Sequence, residues 1–208
     1  MKVVLATRNP GKIAELRRIL DGVEVVGLES YPDAPDVPET APTFTGNALL
    51  KAHAIAAHTG LPAVADDSGL CVDALNGMPG VLSARWSGRF GTSAGDGAGD
   101  KDTANLELLL DQLADVEPAR RGAHFACAAA VALPDGTECV AEGRMTGRVI
   151  DAPRGDGGFG YDPIFVPDDG DGRTTAELPA AEKDAISHRG HAFRALAPLL
   201  ADLLETHG

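Results

Sequence analysis

Residues 65–70 read Ala65-Asp66-Asp67-Ser68-Gly69-Leu70 and follow the short apolar run 61–65. An apolar run that stops at acidic residues predicts a buried strand that carries charge to its C-terminal end. In α/β sheets, ligand clefts form at this end. Two adjacent carboxylates repel each other, so a fold that keeps both near a cleft favours a bound cation such as Mg²⁺. The alternative is a turn in which Asp66 and Ser68 cap backbone amides.

Composition limits the class of protein. The chain of 208 residues is 44% hydrophobic and 24% charged, which is typical of a globular protein with one domain or two small lobes. Its formal net charge of −13 argues against general nucleic-acid binding but leaves room for a site for one small polyanion. The three cysteines form no CxxC pair, and neither a signal peptide nor a membrane-spanning segment is indicated. We therefore expect a cytoplasmic protein with no nucleic-acid or membrane partner.

The N-terminal segment predicts an anion site. Residues 3–6 read as a strand, and Thr7-Arg8-Asn9-Pro10-Gly11-Lys12 leads into a helical pattern with Ile13, Leu16, Ile19 and Leu20 on one face. Asn9 suits the N-cap and Pro10 the first helical position. A strand, a tight turn and a helix N-terminus together present backbone N–H groups to an anion, which would also offset the unfavourable position of Lys12. The alternative is an ordinary capped helix with an exposed Lys12.

A second set of polar residues precedes the acidic pair. The proline-rich segment 30–42 predicts a loop carrying Glu39, and Thr43 is a plausible N-cap for a helix running to about Thr59. Asn47 and Lys51 are four residues apart, so they share one face of that helix. The alternative for Lys51 is a solvated side chain.

The rest of the chain alternates strands and helices and then becomes antiparallel. Residues 124–133 and 138–150 predict a hairpin, and 91–99 a flexible loop. The pattern favours an α/β core with a hairpin-built second lobe. In the closing helix Ser187 suits the N-cap, and Pro198 predicts a kink or a break.

Glycines flank an aromatic residue in the segment 156–163, Asp-Gly-Gly-Phe-Gly-Tyr-Asp-Pro. Such a segment lets backbone and ring approach a flat ligand, and Phe159 can stack on a base. The alternative is a turn whose aromatic residues fold back into the core. Lys183, His188 and Arg189 follow as candidate hydrogen-bond donors near this loop.

Together these parts are those of a nucleoside-triphosphate site, and the chain resembles the inosine/xanthosine triphosphate pyrophosphatases, the Ham1-like family. The motifs that carry the resemblance occur in the family's order over nearly the whole chain. They are Thr7-x-Asn9-x-x-Lys12, Glu39-Thr40-x-x-Thr43-Phe44-x-x-Asn47-Ala48-x-x-Lys51-Ala52, Ala65-Asp66-Asp67-Ser68-Gly69-Leu70, Pro79-Gly80-Val81 with Ser83-Ala84-Arg85, Gly158-Phe159-Gly160-Tyr161-Asp162-Pro163 and Ser187-His188-Arg189-Gly190. Trp86, where a tyrosine is expected, and the long loop 91–99 depart from the pattern.

The resemblance implies an elongated α/β fold with a mixed sheet, in which two lobes of one domain (1–208) flank a central substrate cleft. It also implies a homodimer and Mg²⁺-dependent hydrolysis of ITP, dITP or XTP to the nucleoside monophosphate and pyrophosphate, which cleanses the nucleotide pool. Asp67 would then accept the proton, supported by Asp66 and Lys12, and Glu39 and Asp67 would hold the metal. The implied substrate contacts are Thr7, Arg8, Asn9, Pro10, Gly11, Lys12, Asn47, Lys51, Ser68, Phe159, Gly160, Tyr161, Asp162, Lys183, His188 and Arg189.

Two rival functions remain open from the sequence. A Mg²⁺-dependent phosphatase with an aspartyl nucleophile would release orthophosphate, but it needs a DxD-type pair after the first strand. A nucleotide-sensing protein would bind ITP without turning it over.

Overall fold

The computed structural model describes residues 2–8, 13, 24–88 and 101–207. Strand β1 (Lys2–Leu5) lies where its apolar run predicts it, and its last three residues are buried. The next strand, β2 (Glu24–Gly27), pairs with β1 in parallel. The helix predicted from Leu16, Ile19 and Leu20, and the loop predicted at 91–99, lie outside the described residues.

Helix α1 (Phe44–Thr59) forms as predicted, with Thr43 as its N-cap. The Thr43 hydroxyl accepts a hydrogen bond of 3.1 Å from the backbone N–H of Gly46, which satisfies one of the open donors of the first turn. Gly60 closes the helix at a φ of 67°, a left-handed conformation that glycine adopts without Cβ strain.

The later elements are two strands, a helix, three strands and two helices in chain order. They are β3 (Ala63–Val72), β4 (Met78–Pro79), α2 (Lys101–Gln112), β5 (Gly122–Ala132), β6 (Glu138–Val149), β7 (Phe165–Pro167), α3 (Ala180–Ile186) and α4 (His188–His207).

The strands form one mixed sheet in the order β2-β1-β3-β5-β6-β7, with β4 paired to β3. Strand β1 is parallel to both β2 and β3, whereas β4 is antiparallel to β3 and β7 is antiparallel to β6. The predicted α/β class with a mixed sheet is therefore confirmed. The elongated shape, the two lobes of a single domain and the central cleft stay predictions.

The chain divides into two compact units. The first unit comprises Met1–Asp67, Cys127–Arg144 and Ser187–Gly208. Its core has two parts, because successive strand residues face opposite sides of a sheet. On one side Val3, Leu5 and Val64 pack with α4, and on the other Val4, Ala63 and Ala65 pack with α1.

The second unit comprises Ser68–Ala126 and Met145–Ile186. Its core gathers Leu70 from β3, Leu109 from α2, Phe125 from β5 and Phe165 from β7. The rings of Phe125 and Phe165 meet edge to face, with centroids 4.7 Å apart. This favourable aromatic geometry adds to the burial of apolar surface.

The predicted hairpin is confirmed, since β5 and β6 are neighbours and the N–H of Leu133 donates to the Thr137 carbonyl across the turn. The hairpin is divided between the two units, since residues 122–126 and 145–149 belong to the second, so the prediction that it builds a second lobe stays a prediction. Residues Cys127–Arg144 belong to the first unit. The reason is packing, because Cys127, Ala129 and Val131 contribute to the α4 core.

Helix α4 runs without interruption from His188 to His207 although Pro198 lies inside it. The predicted break is therefore wrong. Proline removes one backbone donor, but Leu196 and Leu200 on either side are fully buried, and this burial offsets the lost hydrogen bond. None of the helices in the described ranges is long and apolar enough to cross a membrane.

Candidate active site

Asp66 and Asp67 lie in the middle of β3, so the prediction of a strand that stops at the acidic pair is wrong, as is the alternative of a turn. The strand continues because Leu70 and Val72 are buried in the core of the second unit. The two carboxylates are 2% and 5% exposed. Since neighbouring strand residues face opposite sides, Asp66 lies on the α4 side and Asp67 on the α1 side. This alternation directs the two like charges to opposite faces of β3, although both act on the Lys51 cation.

Asp67 is oriented by Asn47 from the first turn of α1. The Nδ2 of Asn47 donates a 2.9 Å hydrogen bond to Oδ2 of Asp67. The Oδ1 of Asn47 accepts a 2.9 Å hydrogen bond from the backbone N–H of Ala41. This second bond fixes which end of the amide faces Asp67, because only the oxygen can accept from Ala41. Asn47 is fully buried, and its amide holds Asp67; its predicted contact with the substrate stays a prediction.

Lys51 lies one turn further along α1, with its Nζ 2.7 Å from Oε1 of Glu39. Burial alone lowers the pKa of Lys51, but the charges of Asp66 and Asp67 and the hydrogen bond and charge of Glu39 outweigh burial and raise the pKa above its ordinary value. Lys51 is therefore a full cation at neutral pH, bonded to Glu39 and stabilised by the charges of Asp66 and Asp67. The solvated side chain considered from the sequence does not occur.

Asp66 forms a buried ion pair with Arg189. The Nε of Arg189 donates to Oδ2 of Asp66 at 3.2 Å, and the two side chains are 3% and 1% exposed. Ser187 caps the N-terminus of α4, as predicted, because its hydroxyl accepts a hydrogen bond from the Gly190 N–H. His188 at the same helix start is also buried. Asp66 is therefore the buried partner of Arg189, one of the residues predicted to read the base, and its own supporting role stays a prediction.

Only the beginning of the predicted anion loop is described. The guanidinium of Arg8 donates to the Ala34 carbonyl at 2.7 Å and lies 3.4 Å from the Asp36 carboxylate. Thr7 and Arg8 border a cavity of about 410 Å³ that Ile13, Leu28, Glu29 and Pro32 also line. The predicted site residues Asn9, Pro10, Gly11 and Lys12 lie outside the described residues.

In the second unit, Asp162 organises the glycine-flanked segment. Its Oδ2 accepts hydrogen bonds from the Phe159 N–H at 2.8 Å and from Lys183 Nζ at 2.5 Å. Lys183 Nζ also lies 5.2 Å from the centre of the Phe159 ring, which is a cation–π distance. Phe159 is 36% exposed. The ring that was predicted to stack on a base is therefore accessible and has a cation on one face.

Tyr161 differs from Phe159, because its ring is buried in the core of the second unit. Its hydroxyl donates a 2.9 Å hydrogen bond to the Ser83 carbonyl. Burial first, and then the charge of Asp102, raise the pKa of Tyr161, so the hydroxyl stays protonated and remains a donor. Of the two aromatic residues in the segment, Phe159 is accessible, as base stacking requires, and Tyr161 folds back into the core.

Within each unit, then, one group of the predicted residues converges. The first unit brings together Glu39, Asn47, Lys51, Asp66, Asp67 and Arg189. The second brings together Phe159, Asp162 and Lys183, and Ser68 begins its part of β3. In the described ranges no group of three or more acidic, histidine or cysteine side chains is arranged to hold a metal ion.

Thr175 contributes to the second group although no sequence motif points to it. Its hydroxyl, which is fully buried, lies 2.8 Å from Oδ1 of Asp162 and 3.1 Å from the Asp162 carbonyl. Thr175 is thirteen residues away from Asp162 in the chain. A lone threonine in a loop carries no local pattern, so only the folded arrangement reveals this contact.

The chain is similar to a family of known proteins. The model of the Ham1 family matches residues 3–199. The dITP/XTP pyrophosphatase of Streptomyces coelicolor is 61% identical over 98% of each chain. The dITP/XTP pyrophosphatase of Mycobacteroides abscessus is 54% identical over 98% of this chain and 97% of the relative.

Solved structures give the same picture. A HAM1 protein from Coxiella burnetii superimposes with a TM-score of 0.83 at 38% identity, covering 97% of this chain and 99% of that one. The nucleoside-triphosphatase, or dITP/XTP pyrophosphatase, of Mycobacterium abscessus superimposes with a TM-score of 0.73 at 57% identity, covering 96% and 99%.

Proposed function

Because the chain belongs to the Ham1 family, we propose that it hydrolyses purine nucleoside triphosphates with non-standard bases, namely ITP, dITP and XTP, to the monophosphate and pyrophosphate. The dITP/XTP pyrophosphatase names of its relatives support this substrate class. The observation that carries the proposal is the buried group around Asp67, in which Asn47 orients the carboxylate and the Lys51 cation lies nearby. The reaction would cleanse the nucleotide pool.

Hydrolysis at the α-phosphorus needs an activated water and a neutralised pyrophosphate leaving group. We assign proton acceptance to Asp67, because one of its oxygens is held by Asn47 and its carboxylate is fixed in direction. Lys51 supplies a permanent positive charge for phosphate oxygens. Thr7 to Lys12 stays the predicted phosphate segment, with Lys12 as a second cation.

The proposed cofactor is Mg²⁺. Glu39 and Asp67 offer carboxylate oxygens, which are the hard donors that Mg²⁺ prefers, and Mg²⁺ commonly takes one or two protein carboxylates and completes its shell with phosphates and water. The donor chemistry of the pair therefore fits the ion. When bound, Mg²⁺ would lower the pKa of water and neutralise phosphate charge. Glu39 would then exchange or share its present contact with Lys51.

We assign base recognition to Phe159, with Lys183, His188 and Arg189 as donors. Hypoxanthine and xanthine present a 6-oxo acceptor, whereas adenine presents an amino donor. The guanidinium of Arg189 carries five N–H donors and no acceptor, and its Nε binds Asp66. Sites that read polar groups in this way discriminate by about 10⁴. Rejection of guanine, which also has a 6-oxo group, does not follow from these donors.

The homodimer and the cytoplasmic location that the resemblance and the composition imply stay predictions.

A panel of nucleoside triphosphates tests the function. With Mg²⁺, we expect ITP, dITP and XTP to release pyrophosphate, and ATP to react about 10⁴-fold more slowly in kcat/KM. A chelator should stop the reaction, and added Mg²⁺ should restore it. Sequential release of orthophosphate would contradict the proposal in favour of a phosphatase. Binding of ITP without turnover would favour a sensor.

Replacing Phe159 with alanine tests base stacking. We expect KM for ITP to rise by about 5- to 150-fold, because stacking on an aromatic ring contributes about 1–3 kcal/mol per base. Phe159→Tyr keeps the ring and should stay near the wild-type KM, whereas Phe159→Leu keeps only apolar bulk and should resemble Phe159→Ala. Steady-state kinetics with ITP provide the measurement. Equal KM values for the leucine and tyrosine variants would contradict stacking.

A further inference from the structure

The turn 158–160 carries Phe159, and its glycine-rich backbone needs hydrogen bonds from other residues to fix its conformation. Gly158 and Gly160 on either side of the ring have φ values of 75° and 63°, in the left-handed region. Glycine reaches this region without strain, but it also has the largest conformational freedom to lose on folding. The direction of the Phe159 ring therefore depends on what anchors the backbone of residues 158–160.

Two carboxylates bind two successive N–H groups of this turn. Oδ2 of Asp162 accepts from the Phe159 N–H at 2.8 Å, and Oδ2 of Asp102 accepts from the Gly160 N–H at 2.9 Å. Asp162 is a local anchor, three residues from its donor. Asp102 lies 58 residues earlier in the chain, in the first turn of α2, so it is the anchor that ties the turn to the body of the second unit.

The described residues leave a cavity beside the turn. A cavity of about 250 Å³ is lined by Asp102 and Leu106 of α2 together with Gly157, Phe159 and Pro163 of the segment. A turn that borders open space gains less from side-chain contacts, so its hydrogen bonds carry more of its positional order. A hydrogen bond to an ionised carboxylate is about twice as strong as one between neutral groups.

We propose that Asp102 is a positioning residue for base recognition, which by holding the Gly160 amide sets the orientation of the Phe159 ring toward the purine. The inference rests on the proposed function, and it assigns Asp102 no contact with the substrate and no part in the chemical step. Loss of the Asp102 carboxylate therefore weakens binding of the base and leaves phosphate chemistry intact.

The kinetic test compares Asp102→Ala, Asp102→Asn and the matched control Glu107→Ala. Glu107 is an exposed acid on the same helix, so its removal changes the charge of α2 equally. We expect Asp102→Ala to raise KM for ITP by about 10- to 100-fold with kcat within about twofold of wild type, as for loss of a charged hydrogen bond. Asp102→Asn retains an acceptor oxygen and should recover most of the affinity, and Glu107→Ala should match wild type.

Two further measurements separate positioning from general damage. Inhibition by inorganic pyrophosphate, which has no base, should be unchanged in Asp102→Ala. Hydrogen exchange of the Gly160 amide should become faster in Asp102→Ala than in Asp102→Asn or Glu107→Ala. An unchanged KM, or an equal loss of pyrophosphate inhibition, would overturn the proposal. If wild type does not hydrolyse ITP, the proposed function fails, whereas unchanged Gly160 exchange in Asp102→Ala overturns the anchoring itself.

Discussion

Asp67→Asn is expected to lower kcat for ITP by about 10²- to 10⁴-fold, the usual contribution of a general base. The substitution is nearly isosteric, and the Asn47 Nδ2 can still donate to an amide oxygen at position 67, so the fold should be retained. The variant loses the ability to accept a proton from water and also one of the two carboxylates proposed for Mg²⁺, so kcat is compared at saturating Mg²⁺. Binding of ITP should remain close to wild type, because the Lys51 cation is unchanged. Pyrophosphate release at saturating ITP and calorimetric titration measure the two effects separately.

The matched control is Asp73→Asn, which removes one carboxylate from an exposed position just after β3. It should leave kcat near wild type, since Asp73 lies outside the buried group. If Asp67→Asn retained a kcat within about twofold of wild type, Asp67 would not be the base, because a general base contributes at least about 10²-fold.

The second large effect concerns the buried pair of Asp66 and Arg189. Arg189→Met is expected to lower the free energy of unfolding by about 3–5 kcal/mol, because it leaves the buried carboxylate of Asp66 without its guanidinium. Urea denaturation at neutral pH, with an analysis of both midpoint and slope, provides the measurement.

Two comparisons isolate the cause of that loss. The double variant Asp66→Asn with Arg189→Met should be more stable than Arg189→Met alone, since no buried charge remains without its partner. Glu138→Gln at the exposed pair with His53 should cost at most about 1 kcal/mol. A double variant that is as unstable as Arg189→Met would show that lost packing, and not the unpaired charge, is responsible.

Local physical chemistry was sufficient to predict several elements and the family. Thr43 caps the start of α1 and the helix ends at Thr59, both as predicted, because helix ends depend on side chains within a few positions of them. The β5–β6 hairpin follows from two apolar runs and a short turn. The ordered motifs pointed to the Ham1 family, and the match over residues 3–199 confirms that membership.

Local sequence signals gave wrong predictions where the packing of distant residues determines whether an element continues. The acidic pair was expected to end a strand, because charge rarely enters a core. In the structure β3 continues past it, since Asn47 and Arg189 approach from two different helices and meet the carboxylates on opposite sides. Pro198 predicts a kink or a break in α4; the break does not occur, because the burial of the residues around it keeps the helix continuous.

The sequence by itself determined which residue types were available for chemistry: adjacent carboxylates, spaced lysines, and an aromatic residue between glycines. Tertiary structure decided how they are used. The ring of Tyr161 packs into the core, while the ring of Phe159 stays accessible. The Asp102 carboxylate reaches the backbone amide of Gly160, 58 residues away in the chain. Helix caps and turns are set by neighbours in the chain, whereas side-chain direction and long-range hydrogen bonds depend on sheet register and on the packing of distant segments.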